Sequence, residues 1–177
     1  MWNFEYVFDP AGQEAGEFNS YSCCHYWDTR YFRVGGRLLG EYFGGSNTFF
    51  IHSTALGSTV QVTDQTGIVQ EDTQLYPWGQ PWKQGGASYD NHFAGFQLRD
   101  TNVSADPTPN RWYTYGVGRW LSADPLGGDV SNPQSLNRYA YVLNDPGALT
   151  DPSGLLICGV VTEDGRVECW GARQWER

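Results

Sequence analysis

Repeated Asp-Pro pairs constrain the segment 110–155 more than any other feature of this chain. Three such pairs fall within it, and those that begin at Asp124 and Asp151 extend to the same D-P-x-G pattern. In a type I turn, aspartate at the first position accepts backbone hydrogen bonds, proline fixes φ at the second, and glycine suits the fourth. The pattern therefore predicts two similar tight turns. Their other defining residues are Pro125 and Gly127, and Pro152 and Gly154.

The order of motifs in this segment resembles the C-terminal core of Rhs/YD-repeat proteins. That core has R-x-Y, then G-R-[FW]-L-S-x-D-P-L-G, then N-x-Y-A-Y-x-x-N-x-P, then D-P-x-G-L. The corresponding stretches here are 111–113, 118–127, 137–146, which ends at Pro146, and 151–155. Similar motifs occur upstream in GRLLGEYF, IHSTALGSTVQVTDQTG, YPWGQPW and FAGFQLRD. An ordered series of this kind is more specific than any single motif.

The resemblance implies that the chain cleaves itself. In bacterial members of the family that carry polymorphic C-terminal toxins, the cut follows the leucine of D-P-x-G-L. Here that bond joins Leu155 to Leu156. The family assigns cleavage to two aspartates and an arginine, which by motif position are Asp124, Asp151 and Arg111.

Paired carboxylates suit peptide hydrolysis, which needs an activated water and a protonated leaving amide. When two carboxylates lie close together their pKa values separate, so one serves as base and the other as acid. Asp124 and Asp151 lie 27 residues apart in the chain, so tertiary structure must bring them together. Arg111 beside them can hold the ionised partner or stabilise the oxyanion. The scissile bond is tethered near Asp151, so effective concentration is high and one turnover per chain suffices.

The residue types alone favour a structural interpretation of the same positions. Aspartate in D-P-x-G is more often a turn residue than a catalyst, and arginine among aromatic residues is more often a stacking or surface residue. A second class of function is therefore a non-cleaving structural or interaction module on the same β scaffold, as in the related teneurin shell. The tryptophans suggest a third, a carbohydrate-binding surface, although core packing uses aromatic residues more often.

Composition favours short strands and tight turns. Aromatic residues make up 16% of the 177 residues, and 22 glycines and 9 prolines interrupt the chain. The net charge of −9 argues against nonspecific binding to nucleic acid or anionic membranes, since both need a basic surface. The sequence shows no signal peptide and no apolar run of membrane-spanning length. We therefore expect export as part of a longer secreted or cell-surface protein.

The chain divides into an N-terminal strand segment (1–33), a repeat-associated core (34–155) and a short, variable and truncated tail (156–177). In the first segment, WNFEYVFD alternates as a strand does. The pair Cys23-Cys24 before His25 is expected to be buried and not to form a metal or nucleophile site, because neighbouring strand residues point to opposite faces.

The first half of the core reads as a meander of strands. Its segments are RLLGEYF, NTFFIHST, STVQVTD and IVQEDTQL, with a hairpin turn at DQTG and a turn at YPWG. His52 is either a cleft residue or a strand-end histidine bonded to the backbone, and the second is favoured. Residues 83–92 are predicted to form a loop and 93–100 an apolar strand. Residues 101–110, with two prolines, are predicted to form an exposed loop.

The tail has apolar runs, LICGVV and RVECWG, on either side of EDG, which is a strong hairpin signal. Cys158 and Cys169 can face each other across that hairpin, as a disulfide in an oxidising compartment or as thiols in the cytoplasm. The tail also resembles one repeat of the regulator-of-chromosome-condensation type, and one repeat cannot form a propeller.

These patterns predict a mainly β chain: an antiparallel YD-type sheet, part of a β-shell, that ends in a turn-rich plug and a C-terminal hairpin. The resemblance implies that its partners are the remainder of an Rhs β-shell and the C-terminal toxin enclosed by it. A cell-surface glycan is a further candidate partner. Neither a metal nor another cofactor is expected.

Overall fold

The chain folds into one large and two small antiparallel β-sheets. The computed structural model describes residues 4–8, 10, 14–21, 24–34, 37–86, 93–96, 99–160 and 167–171. These ranges contain 14 strands and two short 3₁₀ helices but no α-helix, which confirms the mainly β prediction. Within the same ranges, no helix has the length and apolar character needed to cross a membrane.

The large sheet has eight strands that follow one another in chain order, each antiparallel to its neighbours. The predicted meander supplies four of them, β4 to β7. The strands are β1 (Phe4–Phe8), β2 (Glu14–Tyr21), β3 (Cys24–Val34), β4 (Arg37–Phe43), β5 (Asn47–Ser53), β6 (Thr59–Asp64), β7 (Val69–Leu75) and β8 (Pro81–Gly86).

Side-chain and backbone hydrogen bonds close the two predicted turns of the meander. Asp64 Oδ1 accepts hydrogen bonds from the N–H groups of Thr66 at 2.8 Å and Ile68 at 3.0 Å, which joins β6 to β7. The Gly79 N–H donates to the Tyr76 carbonyl at 2.8 Å, which joins β7 to β8. Aspartate and glycine act here as their turn preferences predict.

The two small sheets and the loops between them form a second layer, which we call the plug (93–96, 99–160 and 167–171). Each small sheet has three strands, of which the central one pairs with the two on either side. Two 3₁₀ helices lie between the sheets in the chain. The elements are β9 (Asp106–Pro107), β10 (Trp112–Thr114), β11 (Arg119–Trp120), η1 (Pro133–Leu136), η2 (Val142–Asn144), β12 (Leu149–Thr150), β13 (Ile157–Val160) and β14 (Val167–Trp170).

The predicted C-terminal hairpin is β13 paired with β14. Cys158 lies directly opposite Cys169, and the two are joined by a disulfide. The other edge of β13 pairs with β12, so the hairpin completes a three-stranded sheet, which the sequence did not predict. The EDG turn itself, residues 163–165, lies outside the described residues.

The plug contains the principal hydrophobic cluster of the described chain, and aromatic rings dominate it. Tyr113 and Tyr141 are fully buried, with ring centroids 4.7 Å apart. Trp120 packs edge-on to Tyr113 at 5.6 Å, and Phe93 stacks on the other side at 5.7 Å. Such rings bury large apolar areas and prefer offset or edge contacts. These packed rings, which we call the aromatic floor, support the turn-rich part of the plug.

The plug docks against turns at one end of the large sheet. The Tyr113 hydroxyl donates to the Trp78 carbonyl at 2.9 Å, in the turn between β7 and β8. The Ala94 N–H donates to the Ser58 hydroxyl at 3.0 Å, in the turn between β5 and β6. The sheet therefore orients the plug through its loops.

Three local predictions in the core need correction. Residues 83–86, predicted as loop, belong to β8 because they pair with β7. The described residues of 93–100 form a turn and a bridge instead of a strand, and Ala94 and Gly95 have positive φ of 52° and 76°. His52 is exposed, and its Nε2 lies 3.0 Å from the Thr63 hydroxyl, so its partner is a side chain and not the backbone. Residues 87–92, 97, 98 and Cys23 lie outside the described part of the chain.

In the predicted exposed loop 101–110, residues 101–104 and 109–110 are exposed, whereas Ala105 and Asp106 are buried. Asp106 is 1% exposed and forms two hydrogen bonds of 2.8 Å with the buried guanidinium of Arg99. Burial raises the pKa of Asp106, and the Arg99 charge acts in the opposite direction. The ion pair holds the middle of the loop inward, where Asp106–Pro107 form strand β9.

Replacement of Gly79 by alanine tests the docking of the plug. A Cβ at Gly79 would lie 2.5 Å from the Phe93 ring, whereas a Cβ at Gly67 meets nothing within 4 Å. The two glycines have nearly equal φ of 85° and 87°, so both alanine variants carry the same backbone cost. We expect Gly79→Ala to lower the free energy of unfolding by about 1–3 kcal/mol more than Gly67→Ala, as in overpacked cores. Urea denaturation measures both, and equal losses would contradict the contact.

Candidate active site

Arg111 lies directly before β10, where a short turn brings its side chain into the plug. The Thr108 N–H and hydroxyl donate to the Arg111 carbonyl at 3.0 and 2.6 Å, and the Arg111 N–H contacts the same hydroxyl at 3.2 Å. The guanidinium carbon lies 4.2 Å from the centre of the Trp120 ring. Arg111 is only 4% exposed, so the cation–π contact forms in a largely dehydrated site.

The buried Arg111 guanidinium joins four other parts of the plug. Its Nη2 lies 3.1 Å from Asp124 Oδ2 and 3.2 Å from Asp151 Oδ2. Its Nε donates to the Gly154 carbonyl at 2.5 Å, and its Nη1 donates to the Arg138 carbonyl at 3.3 Å. Because both carboxylates contact the same nitrogen, the separation of their Oδ2 atoms is no greater than the sum of these two distances. The three residues predicted from motif position therefore lie together.

Asp124 acts as a turn residue with one carboxylate oxygen and as an ion-pair partner with the other. Its Oδ1 accepts the Leu126 N–H at 2.8 Å, and its carbonyl accepts the Gly127 N–H at 3.4 Å, as D-P-x-G predicts. Arg138 holds its backbone: the Asp124 N–H donates to the Arg138 carbonyl at 2.9 Å, and Arg138 Nε donates to the Asp124 carbonyl at 2.7 Å. The position of Oδ2 is thus fixed from two sides.

Asp151 divides its two oxygens in the same way. The Gly154 N–H donates to the Asp151 carbonyl at 3.4 Å, which closes the second predicted turn. Asp151 Oδ1 accepts the N–H groups of Leu155 at 3.0 Å and Leu156 at 3.2 Å, and the Ser153 hydroxyl at 3.2 Å. The nitrogen of Leu156 belongs to the bond between Leu155 and Leu156. The carboxyl of Asp151 therefore lies in hydrogen-bond contact with the nitrogen of the predicted cleavage site.

Gly154 is required by both conformation and space. Its φ is 75°, in the region that side chains rarely adopt. A Cβ there would collide with the Thr108 hydroxyl and lie 3.1 Å from the Arg111 nitrogen. The glycine of D-P-x-G-L thus allows the segment around Leu155 to approach the backbone that carries Arg111.

Burial changes the proton affinity of the site. Removal of Asp151 from water raises its pKa to about 6, although the Arg111 charge and the hydrogen bonds to the carboxylate oppose the shift. Burial also lowers the pKa of Arg111, opposed by Asp124 and Asp151, but a guanidinium stays protonated at any physiological pH. Near pH 6, Asp151 therefore exists both as an acid and as a carboxylate.

A cavity of about 20 Å³ opens beside the aspartates, with Arg111, Asp124, Asp151 and Trp120 among its lining residues. A space of this size accommodates one water when polar groups surround it. The carboxylates and guanidinium supply such groups. The indole Nε1 of Trp120 is a further buried donor, with no hydrogen-bond partner among the described residues.

A left-handed turn forms another wall of this cavity. Val142 and Leu143 line the cavity, and with Asn144 they have positive φ of 42°, 56° and 67°. Three consecutive residues in this region are unusual, above all with a β-branched valine. Strained backbone of this kind clusters at functional sites. The turn lies in the N-x-Y-A-Y-x-x-N-x-P stretch, which gave no sequence signal for it.

Several contributors were not singled out in the sequence. Arg138 clamps the backbone of Asp124, and the Ser153 hydroxyl contacts Asp151. Arg138 and Ser153 occupy variable positions of N-x-Y-A-Y-x-x-N-x-P and D-P-x-G-L, so no sequence signal marked either residue. The third Asp-Pro pair takes no part: Asp145 is exposed, and its carbonyl closes a separate turn with Leu149 at 3.1 Å. Across the described residues, no cluster of three His, Cys, Asp or Glu side chains could hold a metal ion.

Two curated toxin proteins are similar to this chain, although no family model matches it. Toxin protein Tse5 of Pseudomonas aeruginosa is 35% identical over 121 residues, which cover 67% of this chain and 9% of that protein. Toxin subunit YenC2 of Yersinia entomophaga is 49% identical over 45 residues, 25% of this chain and 4% of that protein. The chain thus matches less than a tenth of the length of either relative.

Solved toxin complexes share the fold. A crystal structure of TcdB2-TccC3-Cdc42 has a TM-score of 0.60 at 19% identity, over 86% of this chain and 9% of that chain. A structure of the Photorhabdus luminescens Tc holotoxin pore with a mutation in TccC3 has a TM-score of 0.53 at 16% identity, over 85% of this chain and 10% of that chain. At these identities the likeness shows the fold alone.

Removal of the Arg111 charge tests whether both carboxylates depend on it. At pH 8 we expect Arg111→Met to lower the free energy of unfolding by about 3–5 kcal/mol, because it leaves buried charge uncompensated. Addition of Asp151→Asn should then restore part of the loss, since it removes one of those charges.

Urea denaturation at pH 8 and pH 5 shows whether the charge of Asp151 stabilises or destabilises the fold. The pKa of Asp151 is raised from its ordinary 3.8 to about 6 in the fold, so the destabilisation caused by its charge builds up between these two pH values and is complete above pH 6. The gain from Asp151→Asn should therefore be smaller at pH 5 than at pH 8. Arg119→Met, at an exposed position, serves as the control and should cost little. A further loss of stability on adding Asp151→Asn at pH 8 would contradict the charge balance described here.

Proposed function

Since the chain belongs to the Rhs/YD-repeat family of toxin proteins, we propose that it is a C-terminal core that cleaves itself once, between Leu155 and Leu156. One observation supports this above the others. Asp151 contacts the Leu156 nitrogen at 3.2 Å through one oxygen, while its other oxygen shares the Arg111 guanidinium with Asp124. An acid, a second carboxylate and a scissile bond thus lie within one buried site.

Asp151 is the general acid of this reaction. Its pKa of about 6 keeps it protonated at mildly acidic pH, and its Oδ1 already lies in hydrogen-bond contact with the leaving nitrogen. As the tetrahedral intermediate collapses, the bond between the Leu155 carbonyl carbon and the Leu156 nitrogen breaks. The proton of Asp151 passes to that nitrogen, and a free amine and the Asp151 carboxylate result.

Asp124 is the general base. Its side chain is 13% exposed, more than that of Asp151, and it lines the cavity that accommodates a water. The water forms a bond to the Leu155 carbonyl carbon as its proton passes to Asp124. After the cut, Leu155 carries the new carboxylic acid group, which then releases its proton to solvent, and the two aspartates have exchanged protonation states.

Arg111 positions both partners. Its Nη2 contacts the Oδ2 atoms of both aspartates. Its Nε holds the Gly154 carbonyl, one residue before the scissile carbonyl, and so fixes the approach of the bond. Because substrate and catalyst belong to one chain, this preorganisation replaces substrate binding.

We also propose that the core caps a larger β-shell and that the chain is delivered outside the cell as part of a longer toxin. The strands β1 and β8 are the outer strands of the large sheet, and outer strands present backbone groups to which further strands can add. This chain covers 9–10% of the chains it resembles in the solved toxin complexes, which supports a piece of a larger assembly. The segment after Leu155 then occupies the place of the enclosed toxin.

A non-cleaving structural module is the alternative function. It is favoured by the turn hydrogen bonds of Asp124 to Leu126 and of Asp151 to Leu155, which a scaffold alone would also use. A surface for glycans would involve the exposed rings of Tyr76 and Trp82, whose centroids lie 6.3 Å apart. Neither alternative requires the contact between Asp151 and the Leu156 nitrogen.

Intact-mass spectrometry of freshly purified protein tests the cleavage. We expect wild-type protein to give two fragments that end at Leu155 and begin at Leu156. Asp124→Asn and Asp151→Asn should remain whole, because each keeps its turn acceptor but loses the proton acceptor or donor.

Asp145→Asn is the matched control, since it changes an exposed Asp-Pro turn outside the site and should leave cleavage unchanged. Near-ultraviolet circular dichroism checks that all three Asn variants are folded. An intact wild-type chain after days between pH 5 and pH 8 would refute self-cleavage and leave the structural alternative.

The cut tail should remain attached to the plug without a covalent bond. Strand β13 pairs with β12 through Leu149 and Thr150, and Ile157 is buried in the aromatic cluster. We expect both fragments to elute together in native gel filtration and to separate in 6 M urea, whereas early elution of a free tail would contradict this packing. The mass measurement above must therefore use denatured protein.

A further inference from the structure

The Ser153 hydroxyl lies between the acid and the scissile bond. It donates to Asp151 Oδ1 at 3.2 Å and accepts the N–H groups of Leu155 and Leu156, each at 3.2 Å. Asp151 Oδ1 contacts the same two N–H groups directly. The hydroxyl, the carboxyl and the leaving nitrogen thus form one closed set of hydrogen bonds.

The loop that carries Arg111 also fixes the backbone of Ser153. Asn110 Nδ2 donates to the Ser153 carbonyl at 2.9 Å, and the Thr108 hydroxyl lies 3.4 Å from the same oxygen. Two side chains shortly before Arg111 in sequence therefore hold the residue that contacts Asp151. A solvent-facing turn serine would need neither anchor.

We propose that Ser153 is a positioning residue for the cleavage, which ties the carboxyl of Asp151 to the leaving nitrogen of Leu156. This inference rests on the proposed self-cleavage and adds a residue to it. Ser153 forms no bond to the reacting carbon. It holds the Leu156 N–H against the acid and sets how readily that acid gives up its proton.

The hydrogen bond from Ser153 also affects the charge state of Asp151. A donor to a carboxylate favours the ionised form, and the Ser153 hydroxyl lowers the pKa of Asp151 against the larger effect of burial. The other ionisable groups that face Asp151 are Arg111 from the start of β10, Asp124 from the turn after β11, and the buried Tyr141. Replacement of Ser153 leaves all three in place.

The pH dependence of cleavage separates this role from a structural one. The acid must be protonated, so the cleavage rate falls as pH rises through the pKa of Asp151. Loss of the hydroxyl in Ser153→Ala removes a donor to the carboxylate and raises the pKa of Asp151. The decline of the cleavage rate with rising pH, which is the falling limb of the pH profile, then moves to higher pH. We expect the rate at pH 6 to fall about tenfold, as the loss of one charge-assisted hydrogen bond predicts.

Ser153→Thr is the matched control, because it keeps the hydroxyl and should recover most of the rate and the wild-type limb. Rates are measured by denaturing mass spectrometry on the full chain from pH 4.5 to 8. A Ser153→Ala variant with the wild-type rate and limb would overturn the proposal. So would a Ser153→Thr variant that folds but behaves as Ser153→Ala.

A second measurement does not depend on cleavage. In the Asp124→Asn background, carboxyl carbon resonances report the titration of Asp151 with and without Ser153→Ala. We expect the midpoint to rise on removal of the hydroxyl. If wild-type protein stays whole and the midpoint still rises, self-cleavage fails while the contact of Ser153 with the acid stands. An unchanged midpoint overturns the role of Ser153 whatever the cleavage result.

Discussion

Burial of the Arg111 guanidinium is the interaction on which the rest of the plug depends. A buried cation is costly unless charges and carbonyls compensate it, and Arg111 recruits Asp124, Asp151 and the carbonyls of Gly154 and Arg138 for this purpose. Two carboxylates around one cation leave one negative charge in excess. Burial of the Asp151 carboxyl raises its pKa to about 6, and the Arg111 charge opposes the shift. The dehydrated site thus holds two carboxyl groups of different burial around one cation.

The sheets bring this cluster together because its members lie at strand ends. Arg111 precedes β10, Asp124 follows β11, Asp151 follows β12, and the Leu155-Leu156 bond precedes β13. The rings of Tyr113, Trp120 and Tyr141 pack against one another at tilted and edge-on angles beneath the cluster. A site built from short turns needs such a floor, since turns alone do not hold side chains to the accuracy that proton transfer requires. The large sheet contributes indirectly, because its turns hold this aromatic floor in position.

The sequence predicted local structure well where one residue type dictates it. The alternating segments of β4 to β7 and the two D-P-x-G turns depend on neighbours in the chain, and both were found. The order of motifs placed Asp124, Asp151 and Arg111 in one site, which turn propensity alone does not do. The failures involve distant partners: Asp106 is buried because Arg99 pairs with it, and 93–96 forms a turn because Ala94 and Gly95 adopt positive φ against the large sheet. Ser153 escaped notice because its chemistry arises only from the fold.

The structural and catalytic interpretations of the Asp-Pro motifs describe different oxygens of the same side chains. In both aspartates Oδ1 accepts backbone N–H groups and shapes the turn, while Oδ2 faces Arg111. The turn therefore does not compete with the ion pair, because it orients Oδ2 toward the Arg111 guanidinium. In Asp151 the oxygen that shapes the turn also accepts the Leu156 N–H, so that same oxygen contacts the bond for which cleavage is proposed. A motif that forms a turn through one carboxylate oxygen can therefore also take part in hydrolysis when its second oxygen contacts a buried cation.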